Sequence, residues 1–205
     1  MKIKQKYPNM DRAAMIAISY SDIVNEQLSK DAILNNEFPG FKEDYLVLHC
    51  LLKRYSVTRF LEIGTNMGMG TLIIKNALGD LAHVYSLDLP PEKAHISLQH
   101  PISEGKTDSV GYKCYMHYVQ VFADSRDFDY SQLYPIEGSY IDGEHVRENV
   151  YHESKEMIKA GCKIIIYHDS DIAEVYNAIV DAHAYSGYIL NRVINTRIAY
   201  AICGD

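Results

Sequence analysis

Three groups of residues could do chemistry. The first is Phe60–Thr71, FLEIGTNMGMGT, where an apolar run carrying Glu62 passes into a turn holding Gly64, Gly68 and Gly70. Glycine is needed where backbone must approach a ligand closely or take a positive φ. A strand running into such a turn places the free N–H groups of a helix start at the carboxyl end of a sheet, where open α/β folds bind ligands. The second group is Asp142-Gly143-Glu144-His145 and the third is His168-Asp169-Ser170-Asp171. Each follows a short apolar run, so acids and imidazoles are expected at strand ends. A histidine there can act as a general base near neutral pH. Carboxylate oxygens that converge can bind Mg²⁺ or another hard cation.

The elements that must position these groups follow from periodicity and punctuation. Asp11–Leu34 reads as a helix, with Asp11 as cap and Ala14, Ile18, Ile23, Val24 and Leu28 at roughly helical spacing. Pro39-Gly40 breaks the chain, and Glu43–Tyr55 is a second helix. Its stripe of Tyr45, Leu48, Leu52 and Tyr55 reads as core packing. Strands are expected over Arg59–Ile63, His83–Leu87, Tyr118–Phe122, Gly138–Ile141 and Lys163–Tyr167. Helices are expected over Thr71–Leu78, Val146–Ala160 and Ile172–Ser186, each followed by a glycine. Tyr188–Val193 and Arg197–Ala201 read as a terminal hairpin through Asn195-Thr196. Residues 92–117, with His95, His100 and His117, have no regular pattern and read as a lid or insert. Alternating strands and helices imply right-handed crossovers in a parallel sheet.

The 205 residues suit a single domain, 1–205, with residues 1–42 as a helical cap. A formal net charge of −7 argues against a general nucleic-acid binder. No stretch is apolar for long enough to span a bilayer, and the basic Met1–Met10 is not followed by the apolar segment of a signal peptide. Three of the four cysteines, Cys50, Cys114, Cys162 and Cys203, lie among apolar neighbours, and none forms a CxxC pair. Buried thiols and a cytoplasmic location are therefore expected. The 17 tyrosines, against 5 phenylalanines and no tryptophan, suit a pocket or a subunit interface. The apolar stripes of the N-terminal helices would need partners, which makes a homodimer plausible.

With these residues in order, the chain resembles the class I S-adenosylmethionine-dependent methyltransferases. LEIGTNMGMGT looks like their first motif, SLD at 86–88 their second, ADS at 123–125 their third and YIDGEH at 140–145 their fourth. DGxH followed by a helix and IIIYHD resembles the branch of small-molecule O-methyltransferases, some of them metal-dependent. The glycine spacing, GxxxGxG, differs from the GxGxxG of dinucleotide-binding enzymes. The resemblance implies a doubly wound, Rossmann-like, mostly parallel seven-stranded sheet with a reversed C-terminal strand and N-terminal helices. It also implies S-adenosylmethionine as cofactor and a small-molecule acceptor.

The same resemblance assigns roles. Gly64, Thr65, Asn66, Gly68 and Gly70 would pass close to the methionine part of the cofactor, with Glu62 holding its amino end. Asp88 would accept from the ribose hydroxyls, and Asp124 with Ser125 would lie at the adenine edge. His145 would be the base, beside Asp142; the alternative is a histidine that caps or packs at the next helix start. Asp142 and Asp169, at adjacent strand ends, would bind a divalent cation that lowers the pKa of the acceptor hydroxyl. Metal-dependent relatives carry Asp-Asp or Asp-Asn after the fifth strand, so either His168-Asp169 or Asp169-Ser170 must match. Imidazole or a neutral hydroxyl weakens an oxygen-rich site, and Asp169 could instead bind substrate or cap the following helix. His49 reads as a surface or packed residue, and His152 and Glu153 as a solvated face. The rival functions are a nicotinamide-dependent oxidoreductase on a similar sheet and a non-catalytic cofactor-binding protein.

Overall fold

The computed structural model describes residues 15–32, 41–90, 93, 110–111 and 113–204. Asp11, Pro39-Gly40, His95, His100 and most of the expected lid lie outside them. The strands are β1 (Ile16–Ile18), β2 (Arg59–Ile63), β3 (His83–Asp88), β4 (Val119–Phe122), β5 (Gly138–Ile141), β6 (Ile164–Tyr167), β7 (Tyr188–Val193) and β8 (Ala199–Cys203). The helices are α1 (Tyr20–Ile23), α2 (Glu26–Ser29), α3 (Lys42–Tyr55), α4 (Met69–Leu78), α5 (Arg147–Ala160) and α6 (Ala173–His183). One sheet of eight strands runs in the order β1-β7-β8-β6-β5-β2-β3-β4. β8 is the reversed strand, antiparallel to both β6 and β7, and every other pairing is parallel.

The sheet gains an eighth strand over the seven expected, and it does so where a helix was read. Ile16–Ile18 lies parallel to Asn191–Val193, and only the short helices α1 and α2 follow it. Two β-branched residues in three favour an extended backbone. The outer edge of β7 supplies unpaired N–H and C=O groups that a strand satisfies and a helix does not. The expectation of one helix over Asp11–Leu34 is therefore corrected within residues 15–32.

The central strands are buried on both faces, as parallel sheets require. Ile164 and Ile166 of β6 join Phe60, Val84, Val47, Leu48, Leu51, Leu52, Ile73 and Ile74 under α3 and α4. Ile165 and Tyr167 point the other way, to Val150, Met157, Val175, Ala178 and Ile179 of α5 and α6. This alternation is the two-residue period of a strand. The α3 stripe is core, as its spacing predicts. Acids in its first turn, Glu43 and Asp44, and Lys53 and Arg54 in its last turn complement the helix dipole. Cys50 and Cys162 are buried, Cys114 is half-buried and Cys203 is exposed, so only two of the four thiols are core residues.

β2 is flanked by β5 on one side and β3 on the other. The chain winds outward from β2 through β3 to β4, then returns to β5 on the opposite side. The carboxyl ends of β2 and β5 therefore form the switch point of the sheet, where such folds place ligands.

Candidate active site

The turn after β2 is shaped by contact with the end of β5. Gly64 has φ +100°, and a Cβ there would overlap the Asp142 carbonyl. The Gly64 N–H donates to the Leu87 carbonyl at 2.8 Å, and the Asp142 N–H donates to the Ile63 carbonyl at 2.9 Å. Gly70, in the first turn of α4, faces inward, and a Cβ on it would strike Oε1 of Glu62. The glycines thus let three segments meet at one point.

Glu62 is fully buried and organises the polar side of this turn. Its Oε2 accepts from Thr71 Oγ1 at 2.6 Å and from Ser86 Oγ at 2.5 Å. Ser86 Oγ spends its only proton on Glu62, so Thr65 Oγ1, 2.6 Å away, must donate to Ser86. Gln120 Nε2 donates to Thr65 Oγ1 at 2.9 Å, which completes a line of donors ending on the carboxylate. Oε1 of Glu62 has no partner. Burial pushes this carboxyl up to about 8, against the two hydroxyl donors. Asp88, at the end of β3, receives the Asn66 N–H on Oδ2 and the Leu89 N–H on Oδ1, both at 2.7 Å. Its pKa is raised by burial, which these backbone donors oppose.

The second and third groups do come together, at the adjacent ends of β5 and β6. His168 sits at the centre. Its Nδ1 lies 3.1 Å from Asp142 Oδ1 and 2.9 Å from Asp169 Oδ2, and its Nε2 lies 3.3 Å from Asp44 Oδ2. His145 Nε2 lies 2.7 Å from the same Asp169 Oδ2. Arg197, in the turn between β7 and β8, donates from Nε to Asp44 Oδ2 at 3.1 Å and from its backbone N to Asp44 Oδ1 at 2.9 Å. Its Nη1 reaches Asp169 Oδ1 at 3.4 Å. Asp169 takes a left-handed φ of 49°, a conformation that aspartate tolerates better than most residues. Tyr140 Oη donates to Asp142 Oδ2 at 3.1 Å.

Charge decides the protonation of this cluster. Burial disfavours an imidazolium at His168, but Asp142 first, then Asp169 and Asp44, outweigh it and push the group up to about 12. Burial would raise Asp169, yet the two histidines hold it far below the usual carboxylate range. Asp44 is lowered in the same way, by His168 and Arg197 against its burial. The hydrogen bond to Asp169 raises His145, against partial burial. Phe41 stacks on His168 with ring centroids 5.8 Å apart, and the Arg197 guanidinium lies 4.0 Å from the Phe41 centroid. One ligand atom each from Asp142, His168 and Asp169 lie within 4.8 Å of one another, a spacing that could hold a metal ion.

Asp124 and Ser125 follow β4 beside the end of β3, where the Ala123 N–H donates to the Asp88 carbonyl at 2.9 Å. The Asp124 carboxylate is taken by Arg126, with contacts of 2.9 and 2.6 Å, which depress its pKa to about 2. Ser125 Oγ donates to Glu153 Oε1 at 2.6 Å. Glu153 is not a solvated residue; it is 1% exposed, and burial pushes it up to about 8. Its neighbour His152 likewise has a buried Nε2. The helix they share turns that face inward, where Tyr130 lies against His152. His49 is packed with no exposure, and His117 is exposed. Sequence reasoning missed Phe41, Asp44, Gln120 and Arg197. Asp44 carried one usable signal, an acid in the first turn of a helix whose stripe is otherwise apolar.

No protein-family model matches the sequence, and no curated protein does. Solved structures do share the fold. An SAH-bound methyltransferase from Podospora anserina aligns at a TM-score of 0.54 with 10% identity, covering 87% of this chain and 93% of that one. A putative caffeoyl-CoA O-methyltransferase from Staphylococcus aureus gives 0.53 with 14% identity, over 87% and 88%. The mycinamycin-pathway methyltransferase MycE, in complex with Mg, SAH and mycinamycin VI, gives 0.51 with 15% identity. That match covers 80% of this chain and 49% of MycE. With its reversed β8 and its switch point between β2 and β5, the chain has the Rossmann-like α/β fold of these methyltransferases.

Proposed function

We propose that this protein is an S-adenosylmethionine-dependent methyltransferase that methylates a hydroxyl group of a small molecule. Glu62 carries the proposal. A fully buried carboxyl with one unpartnered oxygen, beneath a glycine turn that admits no side chain, is driven by burial toward its neutral form, and a cationic partner is what would hold it ionised. The amino group of the cofactor's methionine moiety is such a partner, reached directly or through water. Asp88 retains lone pairs for the ribose hydroxyls, because a carboxylate offers about four acceptor sites and the Asn66 and Leu89 N–H groups take one on each oxygen. The structural neighbours bound to SAH support the same reading.

When bound, the cofactor supplies a methyl group activated on a sulfonium. The chain's own task is to orient the acceptor and take its proton. His145 Nε2 is held by Asp169, so Nδ1 is the atom left to accept that proton. Asp169 fixes the ring and stabilises the imidazolium that forms, as the acid of a catalytic dyad does. Asp142, His168 and Asp169 would hold a divalent cation, whose chemistry is to orient and acidify the acceptor hydroxyl.

Calorimetric titration with S-adenosylhomocysteine tests this reading. Micromolar binding that Asp88→Ala abolishes is the expected result, and it opens a screen of hydroxylated acceptors. Absence of binding overturns the proposal, and binding of a nicotinamide dinucleotide instead would point to an oxidoreductase.

A further inference from the structure

The immediate surroundings of His168 say more than that a cation could enter. Asp44 Oδ2 faces Nε2, and an ionised aspartate can only accept, so Nε2 carries the hydrogen. Nδ1 is then the atom turned toward Asp142 Oδ1 and Asp169 Oδ2. A nitrogen lone pair and two carboxylate oxygens cannot share this space unless something positive lies between them. Either a proton on Nδ1 or a metal ion meets that need.

We propose that the cluster is a metal site selective for a transition-metal dication of the Mn²⁺, Co²⁺, Ni²⁺ or Zn²⁺ class over Mg²⁺, with His168 Nδ1 as its nitrogen ligand and Asp44 as the positioning residue. The proposal deepens the reading of this pocket given above. Mg²⁺ requires near-octahedral oxygen coordination and gives up water reluctantly. Replacing an oxygen donor with imidazole shifts preference toward the later divalent metals, which favour nitrogen. Asp44 stands to His168 as the outer carboxylate stands to histidine in many metal sites, where it fixes the tautomer and raises ligand basicity. It is suited to that role because it is 4% exposed and is itself held by Arg197 through the backbone N and Nε. Three protein ligands leave coordination positions open for water and acceptor oxygens, as a catalytic site requires.

The test uses the full chain, stripped with a chelator and titrated calorimetrically with MnCl₂, CoCl₂, ZnCl₂ and MgCl₂. The visible absorption of bound Co²⁺ is a second readout. Co²⁺ and Zn²⁺ should bind roughly ten-fold or more tighter than Mg²⁺. His168→Asn, which supplies oxygen in place of nitrogen, should weaken Co²⁺ by at least about ten-fold, move its absorption bands and leave Mg²⁺ unchanged or tighter. Asp44→Asn should weaken Co²⁺ by about 10–100-fold with the bands retained. Equal affinity for Mg²⁺ and Co²⁺ overturns the selectivity, as does a His168→Asn protein that binds Co²⁺ unchanged. Binding of none of the four overturns the site and leaves a proton as its occupant. If a variant does not fold, the wild-type affinity ratio and the Co²⁺ spectrum still decide. Binding of S-adenosylhomocysteine is followed in parallel, so failure of the cofactor reading and failure of the metal reading are told apart.

Discussion

The two halves of the pocket solve opposite problems. Around Glu62, a line of hydroxyl and amide donors ends on one buried carboxyl, and among the described residues no cationic side chain pairs with it. Around His168, three carboxylates meet two imidazoles and a guanidinium. The first half is a neutral cage with an open oxygen, prepared for a cation that arrives with a ligand. The second carries its cations as side chains and is close to charge balance on its own. The difference teaches that the first half should respond to cofactor and to the proton that burial leaves on Glu62, and the second chiefly to metal.

The largest effect that would break this division is on turnover. His145→Ala should reduce methyl transfer by about 10²–10⁴-fold while leaving S-adenosylhomocysteine affinity within about two-fold, read by steady-state kinetics and calorimetry. Loss of cofactor binding in that variant would mean the halves are not separable. Arg197→Leu should come next, destabilising the protein by about 3 kcal/mol in urea melts, because Asp44 keeps a buried charge and loses a partner. A fall below about 1 kcal/mol would show that the cluster contributes little to holding α3 in place.

Glu62→Gln should weaken S-adenosylhomocysteine binding by about 10–100-fold, since a hydrogen bond to a charged group is lost as a charged one. Stability should hold or rise, because the substitution removes a buried acid. A further effect concerns pH. Burial pushes the Glu153 carboxyl up to about 8 from the ordinary glutamate value of about 4.5. A raised folded pKa means the contribution to stability is fully present below about 4.5 and is lost as pH rises through about 8. Glu153→Gln should therefore leave stability unchanged at pH 4 and raise it on the order of 2–4 kcal/mol at pH 9, measured by denaturant unfolding. Glu62 titrates in the same window, so some slope should remain in that variant.

The contrast between the halves also explains what the sequence could tell. Glu62, Gly64, Thr65, Gly70 and Thr71 lie within one strand–turn–helix unit, where order along the chain is order in space. The strand ends that bring Asp142, His145, His168 and Asp169 together were legible for a related reason. Each follows a short apolar run, and sequential parallel strands tend to be neighbours. The roles of Asp44 and Arg197 were not legible, because Asp44 meets His168 and Arg197 only through packing across 124 and 153 residues. Glu153 was misread because a polar residue on a helix is most often solvated, and nothing local showed that Ser125 would meet it. The edge strand β1 was misread because its partner, β7, lies far along the chain, so the pairing that overrides helical spacing has no local trace.

The contact between Arg197 and Asp44 has a consequence for the order in which the protein is made. Asp44 leaves the ribosome 153 residues before the arginine that neutralises it. Until then α3 can dock its apolar stripe only with an acid facing water, so its last turn of settling must wait. The cofactor turn waits less long, since its donors Thr65, Thr71, Ser86 and Gln120 precede β5 and its remaining contact is with Asp142 at the end of β5. All the chain needed for the ligand cradle is therefore present by the end of β5, whereas the charged centre closes only when the turn after β7 arrives.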